Sequence, residues 1–193
     1  MVSCEPKFAT VARPWIKYFP EGADQKPLPE CTMYGWVKEC NKDCLDLAAI
    51  DYYGARYTYR EMFAKVEHYA ACFKALGVKK GEYVSFLSVV LPETVFAIYA
   101  LNKLGAVCNF IDVRTDLSHI IEYFHKAKSD VLICVNAIFP KIADHLDELG
   151  AKKIIVQDAG FVQSRHVPCE SLGQAFVPVI TVEAVLDRLG LGG

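Results

Sequence analysis

Hydrophobic positions along the chain follow two rhythms. Between residues 59 and 77, Met62, Val66, Tyr69, Phe73 and Leu76 recur at spacings of four and three, the period of one helix face. Ahead of them Thr58-Tyr-Arg-Glu61 reads as a capping box, in which the threonine oxygen accepts from an early backbone N–H and the glutamate reaches back to the cap. The pattern predicts a helix from Tyr59, closed by Gly77 in the left-handed conformation. Beyond it the rhythm changes to short, nearly uncharged, β-branched runs at 83–90, 106–111, 131–135 and 153–157, which predict buried strands. Between these runs lie a helix from Pro92 closed by Gly105, a second at 117–128 and a third at 138–149. Regular alternation of this kind predicts an α/β fold, doubly wound, with a mainly parallel sheet and helices on both faces.

The two ends read differently. Residues 1–32 hold Pro6, Pro14, Pro20, Pro27 and Pro29 and no sustained period, which predicts an extended arm over the domain, pinned by Pro14-Trp15-Ile16 and Tyr18-Phe19. A short helix at 33–41 and a hairpin of 45–53 with 55–57, broken at Gly54, open the α/β subdomain that we assign to 33–193. Leu76-Gly77, Leu104-Gly105 and Leu149-Gly150 each close a predicted helix and lead straight into a strand. Leu189-Gly190 closes a fourth helix at 182–189, yet only three residues follow, so the chain reads as truncated in mid-fold.

Bulk properties narrow the class. With 53% hydrophobic and 23% charged residues over 193 positions, the chain can bury a core without staples. A net charge of −2 with no dense basic run offers no stripe for a nucleic acid backbone, so nucleic acid is rejected as a partner. The eight cysteines are scattered through apolar segments rather than packed as a disulfide scaffold, which reads as reduced, buried thiols in a cytoplasmic protein. No apolar stretch follows the initial Met1-Val-Ser-Cys-Glu as in a secretory signal. The apolar runs 84–91 and 94–101, split by Pro92-Glu93, are each too short for a transmembrane segment.

Candidate chemistry is sparse. Gly77-Val-Lys-Lys-Gly81 lacks the spacing of a phosphate-cradling loop and reads as helix cap plus turn. His119, Glu122 and His125 fall within seven residues, but positions six apart on a helix diverge by roughly 240°, so a metal site is not expected. Cys40 and Cys44 stand four apart with Cys31 upstream and no paired CxxC completes a zinc or redox site. No serine has the flanking glycines of a nucleophile elbow, and His68, His145 and His166 are isolated. There remains Asp112-Val-Arg114-Thr115-Asp116 at the carboxyl end of a predicted parallel strand, where open α/β sheets place ligands. A local Asp112–Arg114 ion pair, with Thr115 or Asp116 capping the next helix, accounts for the same residues.

In the order of these segments the chain resembles the N-terminal portion of an AMP-forming acyl-CoA synthetase, a fatty-acid–CoA ligase of the adenylate-forming superfamily. Tyr57-Thr-Tyr-Arg-Glu-Met62 is similar to the family's first core motif. Leu91-Pro-Glu93 with Ala100-Leu-Asn-Lys-Leu-Gly-Ala-Val107 resembles its Pro-Glu helix and the Lys-Ala-Gly-Ala-Val that ends it. Ile111-Asp-Val-Arg114 and Lys128-Ser-Asp-Val-Leu-Ile133 match the continuation, and Arg13-Pro-Trp-Ile-Lys-Tyr-Phe-Pro20 is similar to the openings of medium- and long-chain ligases. Where the family commonly carries prolines, this chain has Phe110 and Val113.

The resemblance implies a parent that uses ATP and magnesium to convert a carboxylic acid to an acyl-adenylate, which the CoA thiol then attacks. It also implies that the Ser/Thr/Gly-rich phosphate loop, the adenine-binding aromatic, the ribose-binding aspartate and the catalytic lysine lie downstream of residue 193. No catalytic, cofactor-binding or metal-binding role is therefore carried onto any residue here, and the chain alone is expected to bind no ATP, magnesium or CoA. Its expected partner is the remainder of the ligase, with self-association through exposed apolar surface. The alternative is a non-catalytic α/β interaction module that keeps the scaffold.

Overall fold

Which side of each strand is apolar decides the architecture. The computed structural model describes residues 8–157 and the backbone of 179–180. It divides into two compact units, Met1–Cys31 and Thr32–Gly193.

In the first unit the expected extended run is replaced by single helical turns: α1 (Ala9–Ala12) and 3₁₀ turns at Ile16–Tyr18 and Ala23–Gln25. Arg13 adopts a left-handed φ of 44° and its N–H returns to Ala9 O, which ends α1 after one turn. The apolar groups remain open, with Trp15, Tyr18 and Phe19 at 40%, 77% and 50% exposure.

The second unit begins with α2 (Met33–Cys40), capped by Thr32 Oγ1, which accepts from Gly35 N at 3.0 Å. An antiparallel hairpin follows, β1 (Ala48–Tyr52) and β2 (Ala55–Thr58), with Tyr53 and Gly54 at φ 48° and 89°. Two positive φ values in a two-residue loop match the twist of the strands they join. The capping box forms as the sequence predicts: Thr58 accepts from Glu61 N and the Glu61 carboxylate accepts from Thr58 N. The long helix α3 (Tyr59–Ala75) then buries Met62, Val66, Tyr69 and Phe73.

The main sheet holds β3 (Tyr83–Leu87), β4 (Val107–Phe110), β5 (Val131–Val135), β6 (Lys153–Gln157) and the two-residue β7 (Val179–Ile180), in spatial order β4-β3-β5-β6-β7. All pairs are parallel. Between them run α4 (Pro92–Leu104) and α5 (Leu117–Ala127), and β5 leads to β6 through 3₁₀ turns and the one-turn α6 (Leu146–Leu149). Val84 and Phe86 of β3, Val131 and Ile133 of β5 and Ile155 of β6 join α3 and α4 in one core. The intervening Leu87, Leu132, Cys134 and Ile154 join Ile120 and Phe124 of α5 in a second core on the other face. Period-two alternation thus produces the doubly wound sheet with both faces covered.

The predicted helix at 138–149 forms as two 3₁₀ turns followed by one α turn. Lys141 N, Ile142 N and His145 N each bond three residues back, to Ile138, Phe139 and Ile142. Phe139, Ile142, Leu146 and Leu149 are nonetheless all buried, because spacings of three and four place apolar groups inward in either winding. The strands are shorter than the apolar runs: β3 ends at Leu87, leaving Val89 and Val90 exposed, and β4 begins at Val107. β7 was not anticipated from the sequence, and the predicted helix at 182–189 lies outside the described residues.

Candidate functional site

The strand order reverses direction between β3 and β5. β3 passes into α4 on one face, whereas its neighbour β5 passes into the 3₁₀ turns on the other. Connections that diverge in this way open a crevice at the carboxyl ends of the two strands, the place where doubly wound folds receive ligands.

A buried polar cluster occupies this end of the sheet. Gln157 closes β6 with 4% exposure, and its Oε1 accepts from Ser88 Oγ at 3.1 Å and lies 3.3 Å from Thr94 Oγ1. Thr94, 1% exposed in the first turn of α4, also donates to Val89 O at 2.9 Å. Gln157 Nε2 is buried with no hydrogen-bond partner among the described residues. Main chain adds a tie, since Asn136 N donates to Gln157 O at 2.8 Å. The cluster joins the end of β6 to the turn that leaves β3.

Asp112 and Arg114 lie beyond the end of β4. Arg114 donates from Nη2 to Asp112 Oδ2 at 2.6 Å and from Nε to Oδ1 at 3.0 Å, and its backbone N–H reaches Oδ1 at 2.9 Å. The Arg114 side chain, then its backbone N–H, hold the Asp112 carboxyl well below the usual carboxylate range. Both groups are spent on each other, as the local ion-pair reading expects. Asp116 takes the N-cap position of α5 without a side-chain cap bond. Lys141 reaches across and donates from Nζ to Val113 O at 3.2 Å and to Thr115 O, which pins the loop.

The other sequence candidates do not converge. His119 stacks on Tyr123, while His125 Nε2 sits 3.1 Å from Leu149 O and Glu122 pairs with Lys126 at 2.6 Å. Among the described residues no three His, Cys, Asp or Glu groups gather as a metal site. Gly77 caps α3, and Gly81 N donates to Gly105 O at 2.8 Å, so that segment is a cap and turn. His68 is half-buried, His145 meets Glu148 at 3.2 Å, and His166 lies outside the described residues.

The described cysteines are free thiols, but Cys31 and Cys40 are exposed, against the expectation of burial. Cys31 belongs to the open proline-rich unit and Cys40 to the last turn of α2, whose one buried residue is Tyr34. Burial pushes the Cys108 thiol up to about 11 and that of Cys134 up to about 12, so neither is a thiolate nucleophile at neutral pH.

Sequence reasoning missed Gln157, Ser88, Thr94 and Lys141. A serine at the end of a predicted strand and a threonine in the first turn of a proline-started helix were visible, but nothing local joined them to Gln157. Chemically the arrangement positions loops. Among the described residues it brings no acid, base and nucleophile into mutual reach. No described helix is long and apolar enough to cross a membrane.

Comparison with known proteins gives a consistent result. A family model described as AMP-binding enzyme matches residues 37–179. The long-chain-fatty-acid–CoA ligase of Bacillus subtilis (strain 168) is 26% identical over 134 residues, covering 67% of this chain and 23% of that protein. An acetyl-coenzyme A synthetase of Xylella fastidiosa (strain Temecula1) is 26% identical over 131 residues, covering 68% of this chain and 17% of that protein. Among solved structures, a benzoate CoA ligase from Burkholderia xenovorans LB400 superimposes with a TM-score of 0.64 at 16% identity, over 81% of this chain and 28% of that one. Coronafacic acid ligase from Pectobacterium brasiliense gives 0.69 at 14% identity, over 81% and 29%. At such identities the superpositions speak for the fold. The chain spans about a quarter of the length of the relatives it matches.

Proposed function

This chain belongs to the AMP-binding enzyme family, and from that premise we propose that it forms the N-terminal α/β portion of an AMP-forming acyl-CoA ligase. The observation that carries the reading is the family match over residues 37–179, which runs from α2 through every described strand to the start of β7. In such a ligase a carboxylic acid is activated as its acyl-adenylate with ATP and magnesium, then passed to the CoA thiol.

Within that class we favour a medium- or long-chain fatty acid as substrate. The Arg13–Pro20 arm resembles those of such ligases, and the Bacillus subtilis relative acts on long-chain fatty acids. Acetate is the competing acid, since the Xylella fastidiosa acetyl-coenzyme A synthetase matches at the same 26%. The setting we infer is the cytoplasm, where ATP and CoA are at hand.

On this reading the chain contributes scaffold. It buries the sheet, fixes the 112–116 loop through Arg114 and Lys141, and ties β6 to the β3–α4 turn through Gln157. By itself it binds none of ATP, magnesium or CoA and forms no acyl-adenylate. The test incubates the purified chain with ATP, magnesium and palmitate or acetate in the presence of hydroxylamine, which traps acyl-adenylates as hydroxamates. No hydroxamate above the protein-free control is expected, and formation with either acid overturns the scaffold role.

A second reading, a non-catalytic interaction module on the same fold, draws on the exposed apolar Val89, Val90 and Phe110 at the carboxyl end of the sheet.

A further inference from the structure

Among the described residues β4 pairs on one side only, with β3. Val107 N donates to Glu82 O and Ile111 N to Phe86 O, each at 2.8 Å. A parallel ladder engages alternate residues, so Val107, Asn109 and Ile111 face β3, while the N–H and C=O groups of Cys108 and Phe110 point outward. Soluble proteins blunt such an edge with charge, proline or a bulge. β4 reads Val-Cys-Asn-Phe in unbroken register and carries none of these. Its side chains are open as well: Phe110 is 56% exposed, stacked on buried Phe86 with ring centroids 4.8 Å apart, and Val107 is 38% exposed.

We propose that the outer edge of β4 is a homotypic docking surface, on which a second copy of the chain adds its own β4 antiparallel about a twofold axis. Self-complementarity identifies the occupant. Setting Cys108 opposite Phe110 of the partner subunit, with Asn109 on the axis, lets both pairs exchange two bonds, about four in all, and leaves no outward group of either residue unmade. Registers displaced by two residues satisfy fewer groups. Cys108 opposite Cys108 of the partner subunit sets Phe110 against Ala106, whose N–H is already given to Leu101 O.

A four-residue strand with one large aromatic covers far less than the roughly 1,600 Å² of a standard interface, so the association is weak and depends on concentration. The inference rests on the edge geometry alone and does not depend on the ligase reading.

Sedimentation velocity on the whole chain, from about 1 µM to about 500 µM, tests it. The weight-average mass is expected to rise from 21.5 kDa toward twice that value. Phe110→Lys and Val107→Lys, whose side chains lie on opposite faces of β4, are each expected to weaken association by about tenfold or more, with the native circular dichroism kept and the melting of Val107→Lys unchanged. In a background with Cys4, Cys31, Cys40, Cys44 and Cys169 changed to serine, Asn109→Cys is expected to yield an oxidised dimer, and the exposed α5 control Ser118→Cys is not. A constant monomer mass, association insensitive to both lysine variants, or equal cross-linking at 109 and 118 would each overturn the proposal.

Discussion

Ser88 donates its hydroxyl hydrogen bond to the side-chain oxygen of Gln157 across 3.1 Å, joining two residues 69 apart at the point where the sheet reverses its winding. The same amide leaves Nε2 buried without an acceptor among the described residues, and an unmade buried donor costs stability. Both hydroxyls that meet Gln157 have a second acceptor in Val89 O, at 3.2 Å from Ser88 and 2.9 Å from Thr94. Gln157→Met should therefore be neutral or stabilising by up to about 1 kcal/mol, because shape is kept and the orphan donor removed. Gln157→Ala should cost about 2 kcal/mol through the cavity it leaves. Urea denaturation of the two variants checks this, and a loss with Met as large as with Ala would show that the amide's bonds outweigh its unmade one.

Tyr34 Oη donates to Glu67 Oε1 at 3.1 Å, in a network that Lys103 and Lys38 complete between α2, α3 and α4. Burial, and after it the Glu67 charge, push the Tyr34 phenol above its ordinary value of 10.0. The unfolded chain gives up this proton first as pH rises, so the contribution is full below pH 10 and lost progressively above it. Tyr34→Phe should flatten the alkaline limb of a stability–pH curve. An unchanged limb would contradict the role given to the phenol.

Hydrogen bonding from Lys103 is the largest influence lowering the Glu67 pKa. Stability from this carboxylate is present above its unfolded value and lost as pH falls through the folded one. Both side chains are more than a third exposed, so solvent screening limits the pair, and Lys103→Met should cost only about 0.5 kcal/mol at neutral pH. The difference should shrink as pH falls below the ordinary glutamate value of 4.5, and shrink also in high salt. A cost that persisted unchanged in acid would point to packing of the lysine stem instead.

Asp112 owes its low pKa chiefly to the Arg114 side chain. Arg114→Gln should return the carboxyl toward 3.8, followed by carbon NMR of the side-chain carboxyl during acid titration. Lys141→Met should move it slightly in the same direction, since the lysine adds a weaker attraction. Titration unchanged by Arg114→Gln would contradict the ion pair.

The fold was legible wherever its cause is local. The capping box at Thr58 and Glu61, the stripe on α3 and the glycine caps each depend on a few neighbours in sequence, and each formed. Strand ends were not legible, because apolar composition runs past the hydrogen-bonded ladder into exposed Val89 and Val90. The winding of 139–149 escaped for a related reason: spacings of three and four bury the same side chains in 3₁₀ turns and in an α-helix. At the site, Asp112 and Arg114 were readable as a pair two residues apart, whereas the Gln157 cluster exists only because β5 lies between β3 and β6. No pattern within a window of sequence carries that arrangement.

The most direct test of the central claim is to sequence the reading frame beyond the codon for Gly193. An N-terminal portion of an AMP-forming ligase should continue into a Ser/Thr/Gly-rich phosphate loop carrying a lysine, followed by the rest of the adenylating fold. A stop codon at that point, or continuation into sequence with no such loop, would contradict the ligase reading and favour an interaction module on the same scaffold.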